Sequence, residues 1–163
     1  AAGIDAPVYL RLTGSMNNPI VYKEDFDFEI GKAIELRQGD DVAIIATGSM
    51  VHCALKAAEH LEAMGISASV LDMHTIKPLD ITAVEAACKR KLLVTVEEHS
   101  IIGGLGSAVA EKLALKTIHP PHLIIGAPDV YPHAGDYVSL LDSCGLTPDK
   151  VAGKILETYK ELF

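Results

Sequence analysis

Four short apolar runs, mostly β-branched, recur along the chain: VAIIA (42–46), ASVLDM (68–73), LLVTV (92–96) and HLIIG (122–126). Near-continuous apolarity over so short a length suits a strand buried on both faces of a parallel sheet. Between these runs the period changes. In 50–64, Val51, Ala54, Leu55, Ala58 and Leu61 fall on one helical stripe, Lys56, Glu59 and Glu62 fall off it, and Gly65 supplies a stop. DITAVEAACKRK (80–91) predicts a helix with Asp80 as N-cap and basic residues in its last turn, and SAVAEKLALK (107–116) predicts a third crossover. The alternation βαβαβαβ argues for a doubly wound α/β sheet with right-handed crossovers.

Two helices close the chain. DYVSLLDSCG (136–145) has an apolar stripe of Tyr137, Leu140, Leu141 and Cys144. The segment 147–163 opens with Thr147 as N-cap and Pro148 at the first helical position, and its core stripe would be Val151, Ile155, Tyr159 and Leu162. FDFEIGKAIELRQGDD (26–41) is ambiguous, and part of it is read as a strand at the sheet edge. The first 25 residues do not fit this unit. PVYLRL (7–12) reads as an isolated strand, which has no ladder partner of its own. It either pairs with the edge of this sheet or is the last strand of another domain, and we favour the second.

Composition narrows the field. The 163 residues suffice for one compact core, and a hydrophobic content of 49% argues against disorder. A net charge of −8 disfavours nucleic acid and anionic membrane surfaces, both of which are bound through clustered Lys and Arg. No apolar run approaches the roughly 20 residues needed to cross a bilayer, and AAGIDAPVYL lacks the pattern of a signal peptide, so a cytoplasmic protein is expected. Cys53, Cys88 and Cys144 lie far apart with no CxxC pair, which points to reduced thiols rather than a disulfide or a zinc site.

One stretch invites a cofactor. EEHSIIGGLGSAVAE (97–111) follows a strand-like run and opens a helix-like one, the outline of a dinucleotide-binding loop. Its sixth fingerprint position is Val109 rather than glycine, and no acidic residue ends the next strand to hold a ribose. Glu97 and Glu98 also precede the turn. A carboxylate about 6 Å from a phosphate repels it by roughly 2–3 kcal/mol at an effective dielectric near 20. A helix N-terminus returns only about 0.3–2 kcal/mol. Pyrophosphate loses that comparison, and the glycines are read as serving conformation or packing.

Other candidate chemistry gathers on one rim. In an open α/β sheet, ligands bind outside the carboxyl ends of the strands. The loops there carry Ser49, His74, Lys77, Glu98, His99, Asp129 and His133. The group is either a catalytic or metal site or a hydrogen-bonded rim that packs on a partner surface. The second reading is favoured, since no HxH or HExxH spacing supports a metal. Ser49 in TGSMV has the setting of a nucleophile elbow without its GxSxG frame. His119 and His122 of HPPH are read as a loop feature.

Taken together, EDFDFEIGKAIELRQGDDVAIIATGSM, VLDMHTIKPLD and VTVEEHSIIGGLGSAVAE closely resemble the C-terminal domain of transketolase-like thiamine-diphosphate enzymes. 1-Deoxyxylulose-5-phosphate synthase and the β subunit of 2-oxoacid dehydrogenases are more distant relatives. The resemblance implies a three-layer αβα sandwich of about five mostly parallel strands with one antiparallel edge strand, contributed by 26–41. It also implies that residues 1–25 hold the last strand of a pyrimidine-binding domain plus a linker, with 26–163 as the C-terminal domain. Thiamine diphosphate and a divalent metal, Mg2+ or Ca2+, would then be bound by the complete enzyme and not by this chain alone. The expected partners are an N-terminal transketolase region or subunit and a second copy in a homodimer, with sugar phosphates as substrates. Arg11 in VYLRL matches the arginine that helps to bind the substrate phosphate, a task suited to its planar fork. The LTGSMNN that follows departs from the further basic residue relatives often show there. No catalytic group is implied within the C-terminal domain, whose expected role is subunit packing.

Overall fold

The structure is a computed structural model that describes residues 3–13 and 18–163. Five strands form one sheet: β1 (Ile34–Arg37), β2 (Val42–Ala46), β3 (Ala68–Asp72), β4 (Leu92–Ser100) and β5 (His122–Ala127). Their order across the sheet is β1-β3-β2-β4-β5, with β1 antiparallel to β3 and every other pair parallel. Helices α1 (Met50–Ala63), α2 (Ile81–Ala87) and α3 (Leu105–Leu113) are the crossovers, and α4 (Tyr137–Ser143) and α5 (Pro148–Leu162) close the chain. The doubly wound reading and the antiparallel edge strand within 26–41 are both realised.

Alternation along β2 sorts the core into two layers. Val42, Ile44 and Ala46 pack with α1 and α5, while Ala43 and Ile45 face α2 and α3. All five are fully buried, as befits a central strand covered on both faces. At the end of α1, Gly65 takes φ +81°, the left-handed conformation that ends helices and that a side chain resists.

Several boundaries differ from the sequence reading. β4 runs on to Ser100, so Glu97 and Glu98 lie on a strand rather than in a loop. Helix α2 begins at the Asp80 cap, whose carboxylate accepts the Ala83 N–H, but ends before Lys89 and Arg90. Helix α3 starts two residues early, at Leu105. Thr147 makes no side-chain cap bond, whereas Asp136 caps α4 through the Ser139 N–H. In α5, Val151 and Ile155 are buried as expected and Leu162 is exposed. Helix α4 buries no residue fully, since its stripe meets only one edge of the core. PVYLRL (7–12) forms no strand: among the described residues it has no ladder partner, and it exposes Tyr9, Leu10 and Leu12.

Candidate functional site

The strand order places a topological switch point between β2 and β4. From β2 the chain crosses to β3 on one side, and from β4 to β5 on the other, so the crevice between their carboxyl ends is where an open α/β sheet offers a ligand site. Here that crevice is bridged by the protein itself. Ser49 Oγ, at the start of α1, hydrogen-bonds Glu98 Oε2 on β4. Tyr137 OH, from the first turn of α4, donates to the same oxygen at 2.7 Å. Arg11 Nη2 donates to the Glu98 main-chain carbonyl at 3.0 Å. Glu98 thus joins β4 to α1, to α4 and to the N-terminal segment. Burial and the neighbouring carboxylate push the Tyr137 phenol up, so it stays a donor at neutral pH.

One residue earlier on β4, Glu97 is buried and points into the glycine turn. Its carboxylate accepts the N–H groups of Leu105 and Gly106, each at 2.8 Å. These are orphan donors of the first turn of α3, and the helix dipole favours a negative charge there. The turn that resembled a cofactor cradle is filled by the protein's own carboxylate. Its glycines make room: a β-carbon at Gly104 would overlap Glu97, and one at Gly106 would lie 2.5 Å from Ile124 Cγ2. A pyrophosphate, such as that of thiamine diphosphate, does not fit at this helix end, because its oxygens would need the donors Glu97 already uses.

The remaining rim residues are not drawn into one cluster. The His74 ring lies against Phe28, centroids 4.4 Å apart, with both ring nitrogens buried and unpartnered among the described residues. Nearby, Tyr22 OH donates to Asp72 Oδ2 at 2.6 Å, and Tyr22 stacks on Phe26. The linker 18–30 is therefore fastened over the end of β3, with Gly31 N–H on Thr75 Oγ1 and Ala33 N–H on Asp80 Oδ2 continuing the seam. His99 is exposed, and among the described residues its ring makes a hydrogen-bond contact with the Ser100 carbonyl, at 3.1 Å. Lys77, Asp129 and His133 are exposed and make no side-chain hydrogen bond among the described residues. Residues 14–17 of the departing LTGSMNN stretch lie outside the described residues.

Among the described residues, no group of three or more His, Cys, Asp or Glu is placed to hold a metal, and no helix is long and apolar enough to cross a membrane. In HPPH, His122 begins β5 and its Nε2 lies 3.0 Å from the hydroxyl of buried Thr95. Burial, with a smaller effect of His119, lowers its pKa to about 4. Two positions that shape this rim are not marked by the sequence pattern. The pattern places Tyr137 only in an apolar stripe, although Asp136 just before it marks a helix start at the rim. Glu97 reads as a repulsive charge beside the turn, although an acid shortly before a glycine-opened helix is also a candidate to cap it.

Residues 31–151 match the family described as transketolase, C-terminal domain. A 6-deoxy-6-sulfo-D-fructose transketolase subunit from a Clostridium species is 44% identical over 150 residues, covering 90% of this chain and 45% of that protein. 1-Deoxy-D-xylulose-5-phosphate synthase of Thiobacillus denitrificans is 48% identical over 135 residues, covering 82% of this chain and 21% of that enzyme. A solved split-gene transketolase, described as an inactive β4 tetramer, superposes with a TM-score of 0.79 at 39% identity, covering 89% of this chain and 47% of that one. The chain spans about half the length of the first curated relatives it matches.

Proposed function

The chain belongs to the transketolase C-terminal domain family, and from that membership we propose that it is the C-terminal part of an enzyme transferring a two-carbon ketol unit between sugar phosphates. Thiamine diphosphate and its divalent metal belong to the complementary N-terminal region or subunit and to the rest of the pyrimidine-binding domain, whose last strand residues 1–25 would complete once that domain gives PVYLRL the ladder partner it lacks here. The exposed apolar side chains of Tyr9, Leu10 and Leu12 support that reading, since a strand inside a sheet would cover them. So does the occupied helix end at Glu97, which leaves no seat for a pyrophosphate there. Residues 26–163 serve assembly, docking on the complementary region and forming the homodimer, and Arg11 in the preceding segment supplies one substrate contact. The complete enzyme is placed in the cytoplasm.

The observation that carries this reading is the superposition on the split-gene transketolase over 89% of the chain. Two measurements test it. Calorimetry should find no saturable binding of thiamine diphosphate by this chain alone; micromolar binding would overturn the division of labour. With the missing region supplied, transfer from xylulose 5-phosphate to ribose 5-phosphate should appear.

A second reading, the C-terminal domain of a 1-deoxyxylulose-5-phosphate synthase, is favoured by the 48% identity to one such enzyme. The same reconstituted complex separates the two. Ketol transfer between sugar phosphates supports the first, and formation of 1-deoxyxylulose 5-phosphate supports the second.

A further inference from the structure

Arg11 lies beside a carboxylate with which it does not pair. Its guanidinium meets the main-chain oxygen of Glu98, while the side chain of that same residue is taken by Ser49 and Tyr137. Among the described residues, no acidic side chain stands within ion-pair distance of Arg11. A guanidinium has five N–H donors, so one bond to a carbonyl orients it and leaves the others for an anion. The carbonyl contact keeps Arg11 within reach of Glu98. The Glu98 carboxylate belongs to the same residue as that carbonyl, so on release it could compete for the guanidinium's charge.

We propose that Ser49 and Tyr137 are positioning residues: by tethering the Glu98 carboxylate across the switch-point crevice, they keep the exposed Arg11 guanidinium free for the phosphate of a sugar substrate. The inference rests on the reading of Arg11 as the substrate-phosphate contact. Two hydroxyl donors on one oxygen form a directed clamp, and they come from separate elements, α1, whose apolar face is buried in the core, and α4, whose Leu141 packs against that core. The clamp also assigns a task to the crevice where a ligand would otherwise enter. Glu98 bridges it, and the substrate anion is met at the Arg11 guanidinium.

The test uses the full chain reconstituted with the region that binds thiamine diphosphate, and reads KM for a phosphorylated acceptor relative to its unphosphorylated sugar. The double variant Ser49→Ala/Tyr137→Phe should raise that ratio by about two- to fivefold, the worth of an exposed ion pair competing for Arg11. Adding Glu98→Gln to the double variant should return the ratio toward the parent value, because the amide has no charge to pair with Arg11. A role confined to folding would not be rescued this way. If Arg11→Ala leaves the ratio unchanged, the reading of Arg11 falls and the inference with it. If Arg11→Ala raises the ratio but the double variant does not, or Glu98→Gln fails to reverse it, the tether alone is wrong.

Discussion

Gly104 lies against the Glu97 carboxylate so closely that a β-carbon built there would overlap it. The two residues act as a unit. The absent side chain at 104 makes the space in which Glu97 meets the N–H groups of Leu105 and Gly106. In that space the carboxylate has two charge-assisted hydrogen bonds and the favourable end of a helix dipole, which offset its burial. The same geometry keeps a second anion out of the turn.

Enlarging Gly104 to alanine must therefore displace Glu97, at about 1–3 kcal/mol of stability. Glu97→Ala leaves two buried N–H groups unpaired, at about 1–3 kcal/mol each. Glu97→Gln retains one acceptor oxygen and should fall between alanine and the parent. Urea denaturation monitored by circular dichroism reads all three, and unchanged midpoints would show that the unit does not hold the turn.

Asp72 sets a pH dependence of opposite sign to that of most carboxylates. Burial raises its pKa above the ordinary 3.8, an effect that the Tyr22 hydrogen bond and His74 only partly offset. The folded state then holds a proton that the unfolded state releases. Stability is highest below pH 3.8 as far as this group is concerned, and falls as pH rises through the raised value. Asp72→Asn, which can still accept from Tyr22, should be more stable than the parent at pH 7, with the gap closing toward pH 4. Thermal melts at several pH values measure this, and a constant gap would remove Asp72 as its source.

His122 acts at the other end of the same strand layer. Its pKa is lowered from 6.5 to about 4, so between those values the unfolded chain binds a proton that the folded chain refuses. Stability is lost as pH falls through that window. His122→Gln should flatten the acid limb of the stability profile relative to the parent. Urea midpoints at pH 7 and pH 4.5 provide the comparison, and an equal loss in both proteins would count against it.

Cys53 should be chemically silent in the folded protein. It is buried on α1 with its sulfur 3.4 Å from the Leu146 carbonyl, and burial pushes its thiol up to about 12. The thiolate is the reactive species, so almost none is present at neutral pH. A disulfide reagent should modify it only in urea, while half-buried Cys88 and Cys144 react earlier. Rapid modification of Cys53 in the native state would contradict the packing described.

The four strands, their crossover helices, the start at Asp80 and the stop at Gly65 were legible in the sequence, because period and capping are local properties. That 122–126 is a half-buried edge strand rather than one covered on both faces was not, because the order of strands across the sheet is not local. Val42–Ala46 had to be a central strand from its apolarity alone, whichever neighbours it found. The edge strand Ile34–Arg37 was only half legible, since its face is partly exposed and its alternation weak. Tertiary structure alone decided the direction of each polar side chain at the carboxyl ends. Ser49, Glu98 and Tyr137 lie on three elements far apart in the chain and meet only because the sheet order brings β2 beside β4 and lays α4 across their ends. His74, His99, Asp129 and His133 share that rim by sequence, but among the described residues no hydrogen bond joins them and they form no metal-binding group. Likewise, two adjacent glutamates read alike as charges on a loop. The pleat of a longer β4 sends Glu97 inward to cap α3 and Glu98 outward to the crevice, because successive side chains on a strand point to opposite faces.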